Sequence, residues 1–281
     1  MSQIRLITID LDHTLLDAKR HISERNRRAL QEAAARDVTV AIATGRTHES
    51  ALTYALELGI EAPIISYNGA MIRRPHDAEP MRHLRLDADL AAEIVERLVH
   101  DMIDFLYFLN GNVYGAKFDR WARRYRIRTG DHAIIAGDIR KFAGAQPTKI
   151  LMMGTPDDTR DRYERFSALY GDRVYCTISL PEYMEILNPE ATKATALRWL
   201  ADHLGVPIEQ TMALGDSLND LEMVNAAGIG VFMPCADEDL RAQADFVPED
   251  QDGGVGESIE RFVLQAGAAP ASAAASPGGG E

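Results

Sequence analysis

Ile4-Arg5-Leu6-Ile7-Thr8-Ile9-Asp10-Leu11-Asp12-His13-Thr14-Leu15-Leu16 is the stretch on which the fold turns. Ile4, Leu6, Ile7 and Ile9 make a short apolar, largely β-branched run, the pattern of a strand buried on both faces of a sheet. Asp10 and Asp12 follow where that strand runs out. Unpaired buried charges are costly and like charges this close raise each other's pKa, so the pair calls for something cationic. In an open α/β sheet ligands bind in the crevice beyond the carboxyl ends of the strands, where this pair would stand. Taken alone, the same residues read equally well as an Asp turn and a helix cap.

The next segments repeat the strand-helix rhythm. Ser23 is an N-cap for a helix with Ala29, Leu30, Ala33 and Ala34 on one face. A second buried strand over 38–43 ends in Thr44, Gly45 and Arg46, after which Thr47 caps a helix that stops at Gly59. A third strand covers 63–67, and the tight-turn dipeptide Asn68-Gly69 leads into Ala70, Met71 and Ile72. A second strand end is therefore polar.

From about Arg82 strands come in pairs instead. Asp87 caps a helix with Leu90, Ile94, Val95, Leu98 and Val99 inward, and 104–110 with 113–118 form a hairpin through Gly111. The segment 120–128 carries Trp121, Arg123, Arg124, Tyr125 and Arg126. It could recognise an anionic substrate, but an amphipathic helix with a solvated Arg face is the favoured reading. Strands over 149–153, 173–177 and 183–187 and a helix over 156–170 complete an α+β insert spanning 82–188.

After Asn188-Pro189 the first rhythm returns, so core segments 1–81 and 189–265 flank the insert. Thr192 caps a helix whose first turn holds Lys193, a position where the helix dipole disfavours a cation. A nearby anion would explain it, and a solvated lysine would too. A strand over 211–214 ends in Gly215-Asp216-Ser217-Leu218-Asn219-Asp220, the third polar strand end, and short strands follow at 229–233 and 246–247. The segment 266–281 is Ala, Pro, Ser and Gly with almost no large apolar residue, the composition of a disordered tail.

The 281 residues are 46% hydrophobic and 26% charged, enough for one large or two modest domains. Thirty Lys and Arg against 43 Asp and Glu give a net charge of −13, which disfavours binding to nucleic acid or an anionic membrane. Two distant cysteines, Cys176 and Cys235, lack metal-like spacing and suit a reducing compartment. Charge arrives too early for a signal peptide and no apolar run reaches the length of a membrane span, so a cytoplasmic protein is expected.

The strand ends Asp10-Leu11-Asp12-His13-Thr14, Thr44-Gly45-Arg46 and Gly215 to Asp220, with Lys193 on a helix start between the last two, are far more specific together than apart. The combination resembles the haloacid dehalogenase-like phosphohydrolases. The large insert between the second motif and the lysine is similar to that of the Cof-type branch, whose cap is an α+β domain. The resemblance covers about 4–262. It implies an α/β fold, a Rossmann-like doubly wound parallel sheet core with an inserted α+β cap. It also implies that Asp10 is a nucleophile and Asp12 a general acid and base. Thr44 and Lys193 would contact phosphate, with Gly45, Arg46 and Asn219 as further phosphate-loop candidates. Asp10, the backbone carbonyl of Asp12 and Asp216 would hold Mg²⁺, with Asp220 completing the acidic set. The implied substrate is a small phosphorylated metabolite such as a sugar phosphate.

The sequence departs from the family pattern in places. His13 stands where Gly is usual, and His tolerates positive φ better than most residues. Ala194 follows the lysine where Gly is common, and Pro234-Cys235 occupy a stretch where the family often has Gly-Asn. Arg46 reads equally as a phosphate ligand or as a brace for its loop.

Residue chemistry supports the implied activity. Asp10, Asp12, Asp216 and Asp220 would bring up to four negative charges into one cleft, and a phosphate monoester adds about two more. Mg²⁺ with oxygen ligands, plus Lys193 and the Thr44 hydroxyl, would offset that charge. A receiver-like phosphate-responsive module also clusters acids at strand ends, but it needs no insert of this size and places its phosphoacceptor on a middle strand. A dehalogenase would need neither Asp12 nor the acidic loop. A phosphomutase, or a mannosylphosphoglycerate or sucrose-phosphate phosphatase, is the nearest alternative.

Overall fold

Strand β1 (Leu6–Ile9) is buried at every residue because it runs through the middle of a parallel sheet. In the computed structural model, which describes residues 3–265, β1 is followed by helix α1 (Glu24–Ala34), β2 (Thr39–Ile42), α2 (His48–Leu58) and β3 (Ile64–Ser66). The caps are those the sequence predicts. Ser23 accepts from the Asn26 N–H, Thr47 accepts from the Ser50 N–H, and Gly59 closes α2 at a left-handed φ of 68°. Strand β4 (Met71–Arg73) then turns back antiparallel on β3, and β5 (Arg82–His83) antiparallel on β4. Arg82, where the composition changes, is thus still paired with Ile72 of β4.

The insert continues with α3 (Ala88–His100), β6 (Phe105–Leu109), β7 (Asn112–Gly115), α4 (Arg120–Thr129) and β8 (Ala133–Ile135). After these come β9 (Lys149–Met153), α5 (Pro156–Tyr170), β10 (Tyr175–Leu180) and β11 (Tyr183–Leu187). They build a second sheet in the order β10-β11-β9-β6-β7-β8, antiparallel except where β7 meets β8. The strand expected at 173–177 runs instead over 175–180, because 171–173 form a turn after α5. Strand β8 is absent from the sequence reading, since three residues carry too little periodicity to register. One face of this sheet packs Tyr107, Ile150, Met152 and Ile186 against Leu90, Ile94 and Leu98 of α3 and Phe166 of α5. The opposite face packs Phe108, Leu151 and Tyr183 against Trp121 and Tyr125 of α4 and against Tyr67 and Met71 of the core.

The chain then returns through α6 (Lys193–His203), β12 (Thr211–Gly215), α7 (Leu221–Ala226) and β13 (Ile229–Phe232). The core sheet has the order β13-β12-β1-β2, and single bridges extend it to Ile65 on one side and Phe246 on the other. Its register matters for the site. Ile9 lies level with both Ile42 and Leu214, so the polar ends of three strands leave the sheet along one edge. The tail expected at 266–281 lies outside the described residues. Cys176 and Cys235 are free thiols, and among the described residues no helix is long and apolar enough to cross a membrane.

Candidate active site

The end of β12 lies next to the end of β1, and a short helical turn at Leu218–Asp220 folds Asp220 back under its own strand. A Cβ on Gly215 would lie 2.3 Å from the Cβ of Asp220, so glycine is what permits this approach. Asp220 Oδ2 accepts the N–H groups of Asp216 and Ser217, each at 3.1 Å, which fixes its orientation. Lys193, fully buried at the start of α6, donates to Asp10 Oδ1 at 2.7 Å and to Asp220 Oδ1 at 2.6 Å. The dipole-opposed lysine of the sequence is therefore held by two carboxylates.

Asp10, Asp216 and Asp220 each offer a carboxylate oxygen within 4.8 Å of the others. Burial, together with the Asp220 and Asp12 charges, pushes the Asp10 carboxyl up to about 7 despite Lys193. Asp216 is raised well above the ordinary range by burial and by the charges of Asp10 and Asp220, against a 2.8 Å hydrogen bond from Thr14 Oγ1. One lysine among three carboxylates, Asp10 and Asp220 buried and Asp216 half-buried, leaves negative charge uncompensated. An all-oxygen donor set with that excess fits a hard divalent cation.

Asp12 faces elsewhere. Its carboxylate takes two hydrogen bonds from Arg46, Nε to Oδ2 and Nη2 to Oδ1, both 2.7 Å. Burial alone would raise its pKa, but the Arg46 hydrogen bonds and charge bring it below the usual carboxylate range. Arg46 is thereby a brace for Asp12, and its Nη1 donates to Ser50 Oγ at 3.3 Å. The Thr44 hydroxyl is buried and accepts the Arg46 N–H at 3.2 Å. Asn219 has both amide atoms engaged, donating to Asn68 Oδ1 at 2.8 Å and accepting from Ser217 Oγ at 2.7 Å. His13 takes the left-handed φ of 63° that its position demands in place of glycine.

Asp10, Asp12, Thr44, Gly45, Arg46 and Asn219 all line one cleft between core and insert. The insert contributes residues that local patterns do not single out. Lys149 reaches Gly45 O at 2.8 Å and Glu185 Oε2 at 2.6 Å, both side chains being buried. Arg128 lines the cleft as well, whereas Arg123, Arg124 and Arg126 of the same helix are exposed. The solvated Arg face expected for α4 is thus corrected at Arg128, which the helical phase turns toward the core. Core side chains close the end of α4: Arg20 donates to Ile127 O at 2.9 Å and Ser50 to Thr129 O at 3.0 Å. A larger depression of about 780 Å³ lies at the opposite end of the strands, around Val38, Thr39 and Ile60, away from the acid cluster.

Comparison with known proteins agrees with this arrangement. The family model for haloacid dehalogenase-like hydrolases matches residues 7–259. Phosphatase YwpJ of Bacillus subtilis is 29% identical over 269 residues, covering 87% of this chain and 94% of its own. An HMP-PP phosphatase of Escherichia coli is 31% identical over 251 residues, covering 87% and 89%. The solved structure of a haloacid dehalogenase-like hydrolase from B. subtilis superposes with a TM-score of 0.83 at 28% identity, over 92% of this chain and all of that one. With its acid-bearing strand ends, its buried lysine and these relatives, the chain belongs to the haloacid dehalogenase-like hydrolases and is an enzyme of their phosphatase group.

Proposed function

We propose that the protein is a Mg²⁺-dependent phosphatase that hydrolyses a small phosphate monoester, a sugar phosphate or similar metabolite, through an aspartyl phosphate on Asp10. The observation that carries this reading is the division of labour at the end of β1. Asp10 is tied into the acid trio by Lys193, while Asp12, two residues on, is clamped by Arg46 at the wall of the same cleft. Asp10, Asp216 and Asp220 would hold the cation, together with the backbone carbonyl of Asp12. When bound, Mg²⁺ supplies charge neutralisation for the phosphoryl oxygens.

The chain's own groups account for the remaining chemistry. Asp10 attacks phosphorus in line with the leaving oxygen, forming an acyl phosphate and expelling the alcohol. Asp12 delivers a proton to that oxygen and later takes one from the water that hydrolyses the acyl phosphate. Lys193 and the Thr44 hydroxyl balance charge on the transferring group. Lys193 also favours the anionic form of Asp10 that a nucleophile requires, against the burial and neighbouring charges that raise its pKa to about 7.

The cleft is narrow, about 40 Å³. An ester enters only if the insert, about 82–188, moves as a cap away from the core. The two chain crossings near Leu86 and Asn188 are the natural hinges, and closure over the bound ester shields the phosphoryl-transfer step from bulk water.

The deciding experiment is a turnover assay of the purified protein with Mg²⁺ against a panel of phosphate monoesters, diphosphates and haloacids. Hydrolysis of phosphate esters that is abolished by chelation and restored by Mg²⁺ is expected. Full activity in excess chelator, or release of halide alone, would sink the reading.

A further inference from the structure

Three carboxylates line the cleft, and each already faces a cation. Asp10 has Lys193, Asp12 has Arg46 and Glu185 has Lys149. Arg128 is left over. It sits in the last turn of α4, half-buried and lining the cleft, and among the described residues it makes no ion pair. Its Nη2 lies 3.0 Å from Nε2 of His13, which accepts that bond as a neutral imidazole and so brings no countercharge.

Tyr183 provides an independent observation. It opens β11 on the insert, is 4% exposed and lines the same cleft, yet its hydroxyl has no hydrogen-bond partner among the described residues. Buried hydroxyls ordinarily have one, because leaving the group unsatisfied costs its full desolvation. The hydroxyl lies within the electrostatic reach of Arg128, Glu182, Arg124 and Asp12. Glu182 is paired with Arg124 and Asp12 with Arg46, which leaves Arg128 as the unbalanced charge on the shared cleft lining.

We infer that Arg128 and Tyr183 form a second anion site on the cap side of the cleft, selecting esters whose leaving group carries another phosphoryl or carboxylate group. The inference rests on the phosphatase reading above and narrows its substrate class. A guanidinium fork and a phenolic O–H are donors matched to a planar or tetrahedral oxyanion. A neutral hydroxyl on the substrate would satisfy Tyr183 but leave the half-buried Arg128 without a countercharge.

Two pairs of probes test this and separate the two kinds of anion. Fructose 1,6-bisphosphate is compared with fructose 6-phosphate, and 3-phosphoglycerate with glycerol 3-phosphate, using the full chain with Mg²⁺. Wild type should favour the doubly anionic member of at least one pair by about tenfold in kcat/KM, and which pair responds identifies the group. Arg128→Gln should cut that ratio about tenfold, chiefly through KM, Arg128→Lys should retain part of it, and Tyr183→Phe should reduce it severalfold. Thermal unfolding of each variant establishes that it is folded. Ratios near one in wild type, or ratios that Arg128→Gln leaves unmoved while all four esters slow together, would overturn the anion site and make Arg128 a closure contact only. If neither these esters nor p-nitrophenyl phosphate is hydrolysed, the phosphatase reading falls and the anion site with it.

Discussion

Arg46 grips both carboxylate oxygens of Asp12, at 2.7 Å each, while Asp10 only two residues earlier is held by Lys193 in a different environment. Arg46 depresses Asp12 below its ordinary range, whereas burial and the charges of Asp220 and Asp12 raise Asp10 to about 7 despite Lys193. Chemically identical side chains are separated into two roles by what surrounds them. With the cleft closed, Asp12 stands in its basic form, ready to accept a proton from water. Acting as the acid requires that substrate loosen the Arg46 clamp.

Replacing Arg46 with Gln should therefore let Asp12 titrate at higher pH. The rising limb of the pH profile for aspartyl-phosphate hydrolysis should move to higher pH. The stability effect has the matching sign. A depressed carboxyl contributes stability above its unfolded value, near 3.8, and that contribution disappears as pH falls through the folded value. The stability gap between wild type and Arg46→Gln should thus be widest near neutrality and close in acid. An unshifted kinetic limb would show that Asp12 is not the titrating base.

Asp10 and Asp216 behave in the opposite sense. Both are raised, so the folded protein tolerates them best when protonated, and that advantage is lost as pH climbs from about 3.8 through about 7 for Asp10. Chelated protein should melt at a lower temperature at about pH 8 than at about pH 5, and Mg²⁺ should raise the melting point far more at the higher pH. Equal Mg²⁺ effects at both values in differential scanning calorimetry would refute cation binding by these groups.

Lys193→Met keeps much of the side-chain volume but removes the ammonium that Asp10 and Asp220 share. Breaking a buried ion pair costs about 3–5 kcal/mol, since it strands the remaining charge. Urea unfolding should show a loss of that order at neutral pH, shrinking in acid as Asp10 protonates. A loss below about 1 kcal/mol would mean that water or a cation already serves the two acids.

Asp10→Asn should remove the phosphoenzyme and essentially all turnover, because an amide is a poor nucleophile. Asp12→Asn should impair esters with basic alkoxide leaving groups more than aryl esters, which depart without a proton. Given an activated aryl ester it should release one burst of product and stall, with mass spectrometry placing one phosphoryl group on the peptide that holds Asp10. Equal loss for good and poor leaving groups without a burst would mean the two roles are assigned wrongly.

The acid pair, the Thr44-Gly45-Arg46 loop, the 215–220 loop and Lys193 are legible in one dimension because each is a local event: an apolar strand ending in polar residues, or a cation where a helix dipole opposes it. The α/β core and its insert follow from the same local periodicities. What local pattern cannot carry is register and docking. Asp216 meets Asp10 only because Ile9 pairs with Leu214, some two hundred residues away, and Arg46 finds Asp12 only because β2 lies level with β1. Arg128 reads like Arg124 and Arg126 until the docking of α4 on the core turns it alone into the cleft. Lys149, Tyr183 and Glu185 likewise look like ordinary strand residues. Sheet pairing and the closing of the insert on the core decide that two of them form a buried ion pair against Gly45 and that the third keeps an unsatisfied hydroxyl beside Arg128.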